Sequence, residues 1–130
     1  MRFTKMHGAG NDYVYIDARS QVRDWPALSV AMSDRHKGVG ADGIILALLS
    51  EDADMRMRMF NADGSESEMC GNGIRCLVGF ALSRGIVPAD NPVVVVETKA
   101  GQRRVTPRWN DGRIVWASVE MGEPVFEASR

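Results

Sequence analysis

Hydrophobic and polar positions alternate over short stretches of this chain, a pattern typical of β-strands that bury one face. In residues 55–60 the methionines fall on one face and the arginines on the other. Residues 44–49 are apolar throughout, as expected of a strand buried on both faces. Further strands are predicted at residues 2–6, 12–17, 93–96, 102–109 and 113–120, and an Asn-Asp-Gly turn joins the last two.

Two stretches have helical character. The first begins after Asp24, a residue type that caps helix N-termini, and is predicted to run towards His36. The second is predicted from about Gly71 to Arg84, with Gly85 at the usual position of a C-terminal glycine. Its apolar positions have the spacing of one helix face: Ile74, Leu77, Val78, Ala81 and Leu82. Together these elements predict an α+β domain with a mainly antiparallel sheet and two helices, one of them buried.

Residues 38–43, Gly-Val-Gly-Ala-Asp-Gly, match the glycine pattern of dinucleotide-binding loops. That pattern needs a strand before it and a helix after it. Here a predicted helix precedes the segment and a predicted strand follows it. We therefore interpret it as a glycine loop that turns a helix into a strand, and we expect no nucleotide site.

Composition places the chain among ordinary globular domains. It has 130 residues, of which 45% are hydrophobic and 25% charged, a size that suits one domain. Sixteen basic residues oppose 17 acidic ones, so charge gives no reason to expect nucleic acid or a membrane as a partner. Without an apolar membrane-spanning run or signal-peptide core, a cytoplasmic location with reduced cysteines is expected.

Cys70 is the candidate reactive group. It lies at the start of the predicted second helix, where the helix dipole and unpaired backbone N–H groups lower the pKa of a thiol. The following Gly71, Asn72 and Gly73 offer N–H groups without helical partners, and the glycines let an anion approach the backbone. A thiolate beside a carboxylate cradle suits chemistry at the carbon next to a carboxylate. From the residues alone, an inert apolar cysteine stays an open alternative.

Cys76 is predicted to be structural. It lies roughly 200° around the helix from Ile74, away from the main apolar stripe and on the side of Phe80. Six residues of helix place Cys70 and Cys76 about 9 Å apart, which is too far for a disulfide unless the helix unwinds.

Several segments, in the right order, resemble the diaminopimelate epimerases. They are Lys-Met-His-Gly-Ala-Gly-Asn-Asp at 5–12, Arg-His-Lys-Gly-Val-Gly-Ala-Asp-Gly at 35–43, Phe-Asn-Ala-Asp-Gly-Ser at 60–65, Met-Cys-Gly-Asn-Gly-Ile-Arg-Cys at 69–76 and Val-Glu-Met-Gly-Glu-Pro at 119–124. The match runs in register over nearly the whole chain, so it is far more specific than any single segment.

The resemblance implies both a fold and a reaction. The fold is an α+β domain whose mainly antiparallel sheet curls around a central helix, one of two similar halves in the family. The reaction interconverts LL- and meso-diaminopimelate, on the bacterial route to lysine and peptidoglycan, with no pyridoxal phosphate and no metal. Two cysteines face opposite sides of the α-carbon: one thiolate removes the proton and the other cysteine, as a thiol, donates one. Cys70 corresponds to one of this pair.

The resemblance also implies substrate-binding residues. Gly71 and Asn72 match residues that hold the substrate near the reacting carbon, and Asn11 and Asn61 match residues that contact its polar groups. Both asparagines are also typical of turns, and a turn residue can bind a ligand. Gly43 departs from members that carry a glutamine there, so we assign it no binding role.

Length is the largest departure from the family. Its members are about twice as long, with the active site between two similar domains. We expect a first domain at residues 1–118, and at 119–130 the start of the connection to a second, missing domain that carries the partner cysteine. The resemblance further implies a homodimer.

Three alternative hypotheses stay open. In the first, the chain belongs to an isomerase of the same fold that acts on another amino acid. In the second, it is a half-domain that binds a ligand without turnover. In the third, two copies pair and present two Cys70 thiols across one cleft.

Overall fold

The computed structural model describes residues 3–8, 11–68, 71–88, 90–110 and 113–120. Within these ranges one sheet of eight strands carries a helix on each face. The elements are β1 (Phe3–Gly8), β2 (Asn11–Asp17), α1 (Trp25–Ser33), β3 (Gly43–Leu48), β4 (Met55–Asn61), β5 (Glu66–Ser67), α2 (Gly71–Ser83), β6 (Val94–Thr98), β7 (Gly101–Asn110) and β8 (Arg113–Glu120).

The strand order is β1-β2-β3-β4-β6-β7-β8, with the short β5 beside β4. The β2–β3 and β4–β6 pairs are parallel, and the other pairs in the described ranges are antiparallel. The predicted α+β domain with a mainly antiparallel sheet is therefore confirmed.

Two apolar cores lie on opposite faces of the sheet. One packs α2 against the inward side chains of β2, β3, β4, β6 and β7, and the other packs α1 against the opposite side of β2, β3 and β4. Helix α2 contacts both outer strands of the described sheet, β1 and β8, as well as β2, β3 and β7. The sheet therefore curls around α2, which makes α2 the central helix.

The prediction for α2 is confirmed, with a last helical residue one position earlier than expected. Its apolar stripe is buried, and Ile74, Leu77 and Val78 are 0% exposed. The C-terminus is closed by two backbone hydrogen bonds, from Gly85 N–H to the Leu82 carbonyl at 3.3 Å and from Ile86 N–H to the Ala81 carbonyl at 2.8 Å. Gly85 has a φ of +70°, the left-handed conformation that this helix ending requires.

Helix α1 begins as predicted but ends earlier. Asp24 caps it by accepting a hydrogen bond of 3.1 Å from the Ala27 N–H. The helix ends at Ser33 and does not run on to His36. The reason is Asp34, whose carboxylate accepts hydrogen bonds from the backbone N–H groups of His36 at 2.8 Å and Lys37 at 3.1 Å. This local turn competes with helix continuation.

The predictions for β4, for β3 and for the glycine segment before β3 can each be compared with the structure. In β4 the methionines are buried while Arg56 is exposed and Arg58 half-buried, so the predicted alternation is confirmed. The strand predicted over residues 44–49 is one residue shorter at its C-terminal end, because β3 ends at Leu48 and Leu49 is 70% exposed. The glycine segment lies between α1 and β3, as predicted for a helix-to-strand turn.

Neither helix in the described ranges is long and apolar enough to cross a membrane.

Candidate active site

Three residues named by the sequence comparison with known epimerases lie at one end of the sheet. Asn11 is the first residue of β2, and Gly43 is the first residue of β3, which runs parallel to β2. Asn61 is the last residue of β4 and pairs with Gly43 across the antiparallel β3–β4 ladder. The strand directions therefore bring Asn11, Gly43 and Asn61 to the same end.

Helix α2 has its C-terminus at the opposite end of the sheet. There Arg84 hydrogen-bonds the Thr4 hydroxyl near the start of β1, and Thr4 pairs with Tyr15 near the end of β2. The C-terminus of α2 thus lies at the far end of the sheet. With 13 residues, α2 spans about 20 Å, close to the length of a seven-residue strand. Gly71 lies at the opposite end of α2 from the Arg84 contact.

The predicted site residues are described to different extents. Asn61 is described in full. The backbones of Asn11, Gly71 and Asn72 are described, while their side chains lie outside the described part, and Cys70 lies outside the described residues altogether. Helix α2 begins at Gly71, the residue after Cys70 in the sequence. The roles assigned to these five residues stay predictions.

The Asn61 backbone is held by a tight loop. Its N–H donates to the Ser65 carbonyl at 2.8 Å, and its carbonyl accepts from the Gly64 N–H at 2.9 Å. The Ser29 hydroxyl, fully buried on α1, also donates to the Asn61 carbonyl at 2.7 Å. Gly64 has a φ of +89° and lies so close to α1 that a side chain there would meet the Pro26 carbonyl oxygen at 3.2 Å. The loop is thus fixed to α1.

The Asn61 side chain belongs to a short polar chain. Its Nδ2 donates to Ser65 Oγ at 3.0 Å. Ser65 Oγ lies 2.6 Å from Asp63 Oδ1, and the Ser65 N–H donates to the same oxygen at 2.9 Å. These bonds, first that of the Ser65 hydroxyl, lower the pKa of the Asp63 carboxyl. Asp63 is therefore ionised at neutral pH.

A charged network follows Asn11 directly. The Asp12 N–H donates to Asp42 Oδ2 at 2.9 Å, and the Asp42 N–H donates to the Asp12 carbonyl at 2.8 Å. The Arg35 guanidinium bridges both carboxylates at 3.3 Å, and Lys5 Nζ lies 3.1 Å from Asp12 Oδ2. Hydrogen bonding from Arg35, and then from Lys5, lowers the pKa of Asp12 to about 2. The network ties the start of β2 to the glycine loop.

Sequence reasoning missed this network and the Ser29 contact. Lys5, Asp12, Arg35 and Asp42 all fall inside the segments that resemble the epimerases. Their spacing along the chain gave no sign that they pair, because the partners come from two strands and the loop between α1 and β3. Ser29 lies in none of the segments that resemble the epimerases.

An ion pair orients the strand that leads to α2. Arg58 Nε and Nη2 donate to the two carboxylate oxygens of Glu66 at 2.9 and 3.0 Å. The same guanidinium lies 4.9 Å from the centre of the Phe60 ring. The Arg58 hydrogen bonds lower the pKa of Glu66. This two-point contact fixes β5 against β4, four residues before α2 begins.

Cys76 is a free thiol, partly buried and packed against the core around α2. This position agrees with the structural role predicted for it. Its neighbours in that core are apolar side chains of α2 and the sheet.

Comparison with known proteins places these observations in a family. Residues 3–127 match the model of the family described as diaminopimelate epimerase. The diaminopimelate epimerase of Desulfovibrio desulfuricans is 50% identical over 131 residues, covering 100% of this chain and 45% of that protein. That of Methanococcus maripaludis strain S2 is 48% identical over 129 residues, covering 98% of this chain and 46% of that protein. The chain thus spans about half the length of these curated relatives.

Solved structures share the fold. A hydroxyproline epimerase from Agrobacterium vitis superposes with a TM-score of 0.68 at 17% identity, covering 90% of this chain and 40% of that one. A methylitaconate-delta-isomerase superposes with a TM-score of 0.65 at 18% identity, covering 86% of this chain and 35% of that one. At these identities the likeness concerns the fold alone.

Proposed function

The chain belongs to the diaminopimelate epimerase family, and on this premise we propose that it supplies one half of an active site that inverts LL- to meso-diaminopimelate. The observation that carries the proposal is the family match over residues 3–127, with relatives at 48 to 50% identity. The register supports it, because Asn11 and Asn61 lie at one end of the sheet and the C-terminus of α2 lies at the other.

In the proposed reaction the Cys70 thiolate removes the α-proton of the substrate and becomes a thiol. A second cysteine, from the second half of the protein, donates a proton to the opposite face and becomes a thiolate. The substrate gains and loses one proton, so its composition is unchanged and only its configuration inverts. One cysteine must be charged while the other is neutral, which requires two thiol pKa values suited to these roles.

The residues around Cys70 stabilise the carbanion. Negative charge that develops at the α-carbon spreads into the neighbouring carboxylate, and fixed N–H dipoles aimed at that carboxylate lower the barrier. We assign this task to Gly71 and Asn72, at the start of α2, where backbone N–H groups have no helical partners. Asn11 and Asn61 bind polar groups of the substrate. No pyridoxal phosphate or metal takes part in this scheme.

The proposal extends to the organisation of the protein. The first domain spans residues 1–118, and residues 119–130 lead into a second domain, which carries the partner cysteine. Val119 and Glu120 still pair with β7 as the end of β8. The partners are the small substrate, this second domain and a second copy in a homodimer, and the proposed location is the cytoplasm. The curated relatives, about twice as long as this chain, support the second domain.

Thiol titration tests the role of Cys70. The rates of alkylation of Cys70 and Cys76 are measured separately across pH, by mass spectrometry of their peptides. Cys70→Ser and Cys76→Ser variants confirm the assignment of each rate. We expect Cys70 to reach its half-maximal rate at a pH at least about one unit below that of Cys76. Equal pH profiles would favour the alternative of a half-domain that binds without turnover.

A further inference from the structure

We propose that Asp63 and Ser65 are positioning residues that turn the amide oxygen of Asn61 towards the substrate, so that Asn61 accepts a hydrogen bond from a substrate ammonium group. This inference rests on the proposed function, because it takes Asn61 as a substrate contact. It adds to that function which group of the substrate Asn61 recognises and which residues make the choice.

The direction of the hydrogen bonds follows from Asp63. An ionised carboxylate has no proton to donate, so it can only accept. Ser65 Oγ, 2.6 Å from Asp63 Oδ1, must therefore give its single hydroxyl proton to Asp63. With that proton used, Ser65 Oγ has only lone pairs left for Asn61. The Asn61 atom at 3.0 Å must then be the donor, Nδ2.

Oxygen and nitrogen of an asparagine amide are assigned from such networks, because their positions alone do not distinguish them. Here the network has one consistent direction, from Asn61 through Ser65 to Asp63. It places Oδ1 of Asn61 on the side away from Ser65. Among the described residues, none donates a hydrogen bond to this oxygen.

The backbone of Asn61 has little freedom to undo this arrangement. Ser29 and Gly64 both donate to its carbonyl, at 2.7 and 2.9 Å, and its N–H is bonded to the Ser65 carbonyl. The amide therefore rotates only about its side-chain bonds, and rotation would break the bond to Ser65. The oxygen is held on the side away from Ser65 before any ligand arrives.

An amide oxygen left as an acceptor selects a ligand that carries protons and a positive charge. An ammonium group carries protons and a positive charge, so it bonds well to this acceptor. A carboxylate cannot bond to Oδ1, because both are hydrogen-bond acceptors. The only donor it could use on this amide is the second proton of Nδ2. Diaminopimelate carries both kinds of group, and Asn61 is assigned to an ammonium group.

The test uses the 130-residue chain, labelled for NMR, and two ligands that divide the substrate between them. Cadaverine is diaminopimelate without its carboxylates, and pimelate is diaminopimelate without its amino groups. Each is titrated into the unsubstituted chain and into the Asn61→Ala, Asp63→Asn and Ser65→Ala variants. Asp90→Asn is the matched control, because Asp90 is an exposed aspartate beyond the C-terminal end of α2. Backbone spectra show whether each variant keeps the fold.

We expect cadaverine to shift the Asn61 side-chain signals and pimelate to leave them unchanged. Each of the three variants should weaken cadaverine binding about tenfold or more, the loss of one hydrogen bond to a charged group, while Asp90→Asn should not. In the ligand-free chain, the Asn61 amide signals should also move in Asp63→Asn and Ser65→Ala. These results together would support the proposal.

Three results would overturn it: larger shifts with pimelate, equal shifts with both ligands, or no response to either. Unchanged Asn61 amide signals in Asp63→Asn and Ser65→Ala would overturn the positioning role. Failure of the proposed epimerase function is a separate result, since it is measured by hydrogen exchange on diaminopimelate and by Cys70 reactivity. Neither of those measurements depends on the direction of the Asn61 amide.

Discussion

The buried hydroxyl of Ser29 donates a hydrogen bond of 2.7 Å to the main-chain carbonyl of Asn61. The two residues are 32 positions apart, one on α1 and the other at the end of β4. The same hydroxyl lies 3.3 Å from the Phe60 carbonyl. Through this contact the helix on one face of the sheet fixes a residue proposed to bind the substrate.

Replacement of Ser29 should therefore destabilise the chain. Ser29→Ala removes a buried donor and leaves carbonyl oxygens with fewer partners, at a cost of about 1 to 2 kcal/mol in the free energy of unfolding. Ser33→Ala is the matched control, because Ser33 is also buried near the end of α1 and its hydroxyl has no partner among the described residues. It should be neutral or slightly stabilising. Urea unfolding compares the two, and equal losses would contradict this role for Ser29.

Substitution by alanine should change the free energy of unfolding in opposite directions at two glycines. At Gly38 a Cβ atom would overlap the Ala31 carbonyl oxygen and would meet the Met32 carbonyl oxygen at 2.9 Å. Gly38→Ala should therefore destabilise by about 1 to 3 kcal/mol, since backbone must move. At Gly79, inside α2, a Cβ atom would meet nothing within 4 Å. Gly79→Ala should stabilise by about 0.5 to 1 kcal/mol, because alanine is the better helix former. Thermal unfolding measures both changes, and a tolerated Gly38→Ala would refute this packing.

The network around Asp12 should make stability depend on pH in the acid range. Arg35, and then Lys5, hold the pKa of Asp12 at about 2, below its ordinary value of 3.8. A carboxyl whose pKa is lower in the folded chain stabilises the fold above its ordinary pKa. That contribution is lost as the pH falls from about 4 towards 2.

Asp12→Asn should therefore be less stable than the unsubstituted chain at neutral pH, and the difference should shrink between pH 3.8 and about 2. Arg35→Gln should give a similar but smaller change, because Lys5 remains. Denaturant unfolding at a series of pH values measures the difference. A difference that stays constant over this range would show that Asp12 does not contribute through its ion pairs.

Local structure could be predicted well from the sequence. The apolar spacing in α2 and Gly85 after it defined the central helix, because helix periodicity and left-handed glycine endings depend on neighbouring residues. The alternation in β4 similarly predicted its buried methionines. The end of α1 was predicted too late, since the Asp34 turn competes with the helix through side-chain bonds that the apolar pattern does not record.

Contacts between distant segments could not be predicted. The parallel pairing of β2 with β3, the Asp12–Asp42 bonds and the Ser29–Asn61 bond all join residues about 30 positions apart. Each depends on how the whole sheet is assembled, and periodicity along the chain holds no information about it. Cys70, Gly71 and Asn72 were suggested by their position at the start of the predicted helix. Asn11 and Asn61 were suggested by the family resemblance, and the sheet register then showed why these two lie at one end.

Hydrogen exchange on diaminopimelate tests whether Cys70 is one of two bases that act on this substrate. This chain is joined to the second half of a curated relative and incubated with LL-diaminopimelate in D₂O. Proton NMR follows loss of the α-proton signal, and chiral analysis follows the formation of the meso isomer. Cys70→Ser and Cys76→Ser are the paired variants.

We expect exchange with inversion in the joined protein, loss of inversion in Cys70→Ser, and near-normal turnover in Cys76→Ser. The chain alone, which lacks the second base in this account, should not invert the substrate. Inversion that survives in Cys70→Ser, or a joined protein that leaves the α-proton in place, would contradict it.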